Sequence, residues 1–175
     1  MSVRIVIADD HGVLRAGLTA LLSAEPEMEV VGEAVDGMDA LRKTELLHPN
    51  VVLLDLSLGD MSGIDVARQL CSAYPDVRVL ILTVHEDQEL LKEAVRVGAS
   101  GYILKKASKA ELIGAINSAL RGELYVHPSL IRGLLTSKDP PPPPKKADPA
   151  EIALTGREIE VLRLIVHGYT NVQIG

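Results

Sequence analysis

Residues 51–63 read VVLLDLSLGDMSG. Four aliphatic residues, Val51 to Leu54, fit a strand buried on both faces, and Asp55 then ends it. A buried carboxylate is costly unless a cation or hydrogen-bond donor meets it. The identity of that partner decides both the fold and the function of the chain. Outward from this stretch, short apolar runs alternate with helical patterns. VRIVIA (3–8), MEVVGEA (28–34), VRVLILT (77–83) and GYILK (101–105) read as further strands. Helical patterns fill 11–24, 37–48, 63–73, 87–98 and 108–122. In the first of them Val13, Leu14, Leu18, Leu21 and Leu22 are expected on one side. Strict strand–helix alternation predicts a parallel sheet with helices on both faces. Near-continuous apolar strands agree, because parallel strands are covered on both sides. The expected fold class is therefore α/β, a doubly wound, five-stranded parallel sheet.

The strand ends share a chemistry. Asp9 and Asp10 follow the first strand, Asp55 ends the third, Thr83 the fourth and Lys105 the fifth. In an open α/β sheet, ligands bind beyond the carboxyl ends of the strands. Hard carboxylate oxygens suit Mg²⁺, which keeps several waters and a phosphate oxygen in its shell. A metal and Lys105 can neutralise a phosphoryl group while Thr83 hydrogen-bonds one of its oxygens. Asp55 can then stay ionised and act as a nucleophile that becomes an acyl phosphate. Each residue also has a plainer reading. Asp9 and Asp10 can cap the helix that begins near His11, and an isolated lysine normally faces solvent. Their shared position at four strand ends favours the phosphoryl site.

Composition narrows the alternatives. The 175 residues include no Trp, no Phe and four Tyr, so the core must be aliphatic. The net charge is −6, and the acidic excess falls entirely before residue 137. That first region repels nucleic acid phosphates. One cysteine, Cys71, excludes an internal disulfide framework, and no Cys/His cluster has zinc spacing. No apolar run approaches the roughly 20 residues of a membrane span. The chain is expected to be soluble and cytoplasmic, with no membrane partner.

After Gly122 the pattern changes. HPSLIRGLLTS (127–137) predicts a short extra helix started near Pro128. KDPPPPPKKADPAE (138–151) follows, and its proline run favours an extended spacer of about 3.1 Å per residue. LTGREIEVLRLIVHG (154–168) then predicts a helix with Thr155 and Glu158 as a capping box and Gly168 as its stop. The expected organisation is a first domain over 1–122, a short helix and linker over 123–153, and the start of a second, all-α domain over 154–175.

IVIADDH, LLDLSLGDMSG, ILTVHED and GYILKKAS resemble the receiver domain of two-component response regulators, a flavodoxin-like fold. LTGREIEVLRLIVHGYTNVQIG resembles the opening of a LuxR-type helix-turn-helix. Together they are similar to the NarL/FixJ class of transcriptional regulators. The resemblance implies that Asp55 is the phosphoacceptor for a histidine kinase. It implies that Asp9, Asp10, Asp55 and the backbone carbonyl of Ser57 bind Mg²⁺. Thr83 and Lys105 would contact the phosphoryl group, and Tyr102 would be the switch aromatic. Phosphorylation would promote a homodimer and binding of promoter DNA in the full-length protein. The recognition helix would follow Gly175, so residues 1–175 alone are expected not to bind specific DNA. Leu58-Gly59 stand where the family usually has Met-Pro, which implies a more mobile loop. Val84 replaces a smaller residue and is expected to crowd the pocket. Lys106 stands where an acid is frequent, and is expected to be a solvated charge.

Two other classes remain open. A metal-dependent phosphatase with an aspartate nucleophile would carry a second Asp two residues on, where this chain has Ser57. A receiver-like interaction module would act without phosphorylation. A nucleotide-binding domain is disfavoured, because DDHGV (9–13) holds no glycine-rich phosphate cradle.

Overall fold

Val, Ile and Leu dominate the strands, and their burial fixes the layers. The computed structural model describes residues 2–131. The chain runs β1 (Val3–Ala8), α1 (Gly12–Ser23), β2 (Met28–Ala34), α2 (Gly37–Leu47), β3 (Val51–Asp55), α3 (Gly63–Ala73), β4 (Arg78–Thr83), α4 (Gln88–Arg96), β5 (Gly101–Leu104), α5 (Lys109–Leu120) and β6 (Tyr125–Val126). All strand pairings are parallel, in the order β2-β1-β3-β4-β5-β6. The expected parallel α/β sheet is present, with one strand more than the sequence indicated. β6 is only two residues long and pairs with Gly101 and Tyr102 of β5, too short for any periodicity to register.

Side chains alternate across the strands and feed two cores. Val6, Val52, Leu54, Ile81, Tyr102 and Leu104 pack on the side covered by α2, α3 and α4. Ile5, Ile7, Leu53, Leu80, Leu82 and Ile103 pack on the side of α1 and α5. Leu22 of α1 is fully buried and Leu14, Leu18 and Leu21 are partly so. Val13, expected on the same side, is 90% exposed. It lies one residue, about 100° of helix rotation, off the buried stripe.

Polar caps set the helix starts. Asp36, Ser62, Asp87 and Ser108 each accept a backbone N–H of the helix they precede, and Ser108 with Glu111 completes a capping box. α2 has a second cap from a distance: the Asp60 carboxylate accepts from Gly37 N at 2.7 Å and Met38 N at 3.0 Å. These two backbone bonds hold the Asp60 carboxyl below its usual pKa. Leu58 is buried, and Ser57 and Ser62 form an antiparallel bridge. The β3–α3 loop is thus anchored at both ends without a proline.

Pro128 begins a helical turn that reaches Ile131. The rest of the expected helix 127–137, the proline-rich linker and the segment 154–175 with its Thr155 cap lie outside the described residues.

Candidate functional site: an acidic pocket at the sheet switch point

The strand order reverses between β1 and β3, and this is where a doubly wound sheet opens a crevice. β1 delivers Asp9 to one side of it and β3 delivers Asp55 to the other. Asp9 is fully buried and Asp55 nearly so. Lys105, one residue past β5, reaches both: its Nζ lies 2.9 Å from Asp9 Oδ2 and 2.7 Å from Asp55 Oδ2. The partner of the buried carboxylate is therefore a lysine shared with a second buried carboxylate. Burial pulls the Lys105 ammonium pKa down, but Asp55 and then Asp9 outweigh it, and the pKa is raised overall.

Asp10 is more open to solvent and stands at the pocket mouth beside His11. One donor atom from each of Asp9, Asp10, His11 and Asp55 lies within 4.8 Å of the others. The pairing with Lys105 is ionic; neither Oδ2 receives a well-directed hydrogen bond. Three carboxylates gathered this closely are a donor set that fits a hard divalent cation. Ser57 is exposed on the loop two residues beyond Asp55, outside this cluster of side chains.

Thr83 is buried at the end of β4, where its Oγ1 accepts from His85 N at 3.0 Å. Strand alternation separates it from the acids. Asp9, Asp55 and Lys105 follow the parity of Ile7, Leu53 and Ile103 on the α1/α5 side, whereas Thr83 follows Ile81 on the other. Tyr102 shares that second side and is 1% exposed. Burial, with some help from Asp87, pushes its phenol pKa up to about 12 against the lowering effect of Thr83. The structure thus joins Asp9, Asp10, Asp55 and Lys105 directly, and sets Thr83 and Tyr102 behind them.

Residues 5–117 match the response regulator receiver domain family. The chain belongs to the response regulator family. It is 35% identical to the transcriptional regulatory protein DegU of Brevibacillus brevis, over 99% of this chain and 78% of that one. It is 40% identical to the oxygen regulatory protein NreC of Staphylococcus aureus strain MRSA252, over 98% and 81%. A LuxR-family two-component response regulator from Aurantimonas sp. SI85-9A1 superposes with a TM-score of 0.73 at 32% identity, covering 77% of this chain and 96% of that structure. The chain is thus a two-component response regulator of the NarL/DegU type, a transcriptional regulator with a receiver domain. Among its described residues no helix is long and apolar enough to cross a membrane.

Four residues of this receiver differ from the sequence reading or lie outside it. His11 reads from sequence only as the start of α1, yet its ring stands beside Asp9 and Asp10. Asp60 was not singled out, because its cap on α2 is a tertiary contact with no local signature. Lys106 is exposed, as expected, and pairs with Glu86 of the β4–α4 loop. Val84 is exposed, 68% by area, so it borders solvent instead of crowding the pocket.

The Tyr102 hydroxyl is directed at Thr83 but completes no well-angled hydrogen bond. A buried, unsatisfied hydroxyl costs stability. Tyr102→Phe is expected to stabilise the receiver by about 1 kcal/mol, read from urea denaturation. A loss of stability instead would show that Thr83 holds the hydroxyl in a full hydrogen bond.

Proposed function

We infer that Asp55 of this response regulator is the phosphoacceptor, and that a histidine kinase is the donor. The observation that carries this reading is the buried trio Asp9–Lys105–Asp55 at the sheet switch point. A buried carboxylate with an ammonium at 2.7 Å is a positioned nucleophile. One Asp55 oxygen attacks phosphorus, the bond from phosphorus to the donor imidazole nitrogen breaks, and that nitrogen keeps the electron pair. Lys105 balances charge on the incoming phosphoryl oxygens, and Thr83 donates its hydroxyl to one of them. Asp9, Asp10 and Asp55, with the Ser57 carbonyl, would hold Mg²⁺, which when bound offsets phosphoryl charge. No second acid stands two residues after Asp55 to protonate a leaving group, which supports a regulator over a turnover enzyme.

The added charge then biases a two-state element. Thr83 moves toward the phosphoryl group, and Tyr102, already inside, is held there. α4 and its flanking strands shift, which favours a homodimer and the binding of promoter DNA by the helix-turn-helix expected from residue 154. The protein acts in the cytoplasm.

The deciding experiment is intact mass spectrometry after incubation with acetyl phosphate and Mg²⁺. Wild type is expected to gain one phosphoryl group and Asp55→Asn none. No adduct on the wild type, with Mg²⁺ binding confirmed, would leave an interaction module that works without phosphorylation. Steady release of inorganic phosphate from a small phosphate ester would favour the phosphatase.

A further inference from the structure

Arg15 occupies a position that helix electrostatics disfavour. It lies in the opening turn of α1, where the positive end of the helix dipole favours acids, and that turn contains none. Its side chain is only 17% exposed and spans two partners. Nε donates to Glu33 Oε2 on β2 at 2.9 Å, and Nη1 donates to the backbone carbonyl of Asp9 at 2.7 Å. Asp9 lies one residue past the last register pair of β1 with β2, Ala8 with Ala34. Its N–H still donates to Ala34 O at 3.1 Å, and its Oδ1 accepts from His11 N at 2.7 Å. The bond from Arg15 is a third restraint, and it acts on the peptide between Asp9 and Asp10. A peptide unit is planar, so a bond that orients its carbonyl also orients the two Cα atoms it joins. Those two atoms carry both acids of the β1 side of the pocket.

A plain surface ion pair would contribute little, and the geometry goes further than that. The guanidinium reaches the main chain as well as an acid. Glu33 offsets its charge, so this donor stands close to Asp9 and Asp10 without adding net repulsion toward a cation. The helix is also tied to β2 separately, because Thr19 Oγ1 donates to Glu33 Oε1 at 2.9 Å. Fastening α1 to the sheet therefore does not depend on Arg15 alone. We propose that Arg15, anchored by Glu33, is a positioning residue that holds the Asp9–Asp10 peptide in the orientation a divalent cation needs. It touches neither the cation nor the reacting atoms. Its effect is preorganisation: with the peptide already oriented, a cation does not have to order the two acids as it binds.

The inference rests on the reading of Asp9, Asp10 and Asp55 as metal ligands and of Asp55 as phosphoacceptor, and the test separates the two. Wild type is compared with Arg15→Met, Arg15→Lys and Arg42→Met. Arg42 is exposed on α2 and pairs with Asp39, so its loss removes the same charge without touching the β1–α1 loop. Urea melts first fix conditions in which the chains are folded. Calorimetry then gives Mg²⁺ affinity, and acetyl phosphate labelling rates are measured across a range of Mg²⁺ concentrations. Arg15→Met is expected to bind Mg²⁺ about tenfold more weakly. It should need correspondingly more Mg²⁺ for half-maximal labelling, while its rate at saturating Mg²⁺ changes little. Its Asp9 carbonyl carbon resonance should shift in the metal-free state, reporting the lost hydrogen bond. Lysine keeps the charge but cannot reproduce the planar fork, so Arg15→Lys should weaken Mg²⁺ as well, by less. Arg42→Met should match the wild type throughout. Wild-type Mg²⁺ affinity in Arg15→Met overturns the role of Arg15, as does a loss confined to the saturated rate or an equal loss in Arg42→Met. Should Arg15→Met fail to fold, Arg15→Lys decides by the same criterion. In each of these cases a wild type that binds Mg²⁺ and is labelled on Asp55 leaves the phosphoacceptor reading standing. A wild type that does neither overturns that reading and the inference with it.

Discussion

Lys105→Met is expected to cost the receiver about 3 kcal/mol of stability and to slow phosphorylation of Asp55 sharply. The reason is electrostatic. Lys105 pairs with both buried carboxylates, Asp9 and Asp55. Methionine fills much of the same volume but removes the charge, leaving two anions buried side by side. Breaking a buried pair by deleting one partner is far more damaging than replacing the whole set by apolar groups. On the proposed reading of Asp9, Asp10 and Asp55 as metal ligands, a bound divalent cation would supply the missing charge, so Mg²⁺ should stabilise Lys105→Met more than the wild type. The pH dependence follows from the raised pKa of Lys105. A base whose folded pKa lies above its unfolded value contributes stability that is complete below the unfolded pKa, and loses it as pH rises through the folded pKa. The stability gap between wild type and Lys105→Met should therefore hold from neutral pH to about pH 10 and close above it. Urea melts at a series of pH values with and without Mg²⁺ measure both effects. A variant that melts like the wild type at pH 7 would mean that the two carboxylates do not depend on Lys105.

The sequence exposed part of this site because of where its acids sit. Asp9, Asp55 and Lys105 are each the first charged residue after a buried aliphatic run, and strand alternation with parallel pairing brings such positions to one edge. For the same reason β1, β2 and β3 are legible to the residue: Val, Ile and Leu runs end on polar or small residues. What the sequence hid depends on direction and distance in space. The ring of His11 turns into the pocket through backbone geometry at the α1 N-cap. Asp60 caps α2 from the far side of the β3–α3 loop. That contact also bears on Leu58-Gly59, where the family pattern led to an expectation of looseness. The structure shows two backbone bonds to Asp60 and a buried Leu58 instead. Val13 was misplaced because an apolar residue beside a helical stripe reads as part of it until the packing is seen.

The same loop holds the second large effect, and two glycines in it should respond in opposite ways. A Cβ on Gly63 would lie 2.3 Å from the Asp55 carbonyl oxygen and 2.6 Å from Leu56 Cα. Both are backbone atoms, so no side chain can swing aside. Gly63 N also donates to Leu56 O at 3.0 Å, which ties the first turn of α3 to the end of β3. Gly63→Ala must therefore either move α3 off the sheet or displace the strand end that carries Asp55. Overpacking of this kind costs about 3 kcal/mol, and the displacement should also cut acetyl phosphate labelling, since small misplacements of a reacting group cost rate steeply. Gly59 has nothing within 4 Å of an added Cβ, and its backbone is outside the left-handed region. Gly59→Ala should leave the fold as stable as the wild type or more stable by about 0.5 kcal/mol, because alanine restricts the unfolded chain. Thermal melts and labelling rates of the two variants, measured side by side, test the packing directly. Comparable loss in both would show that the loop tolerates no side chain anywhere. Loss in Gly63→Ala alone would show that the bare backbone contact at Gly63 is what holds Asp55 in the pocket.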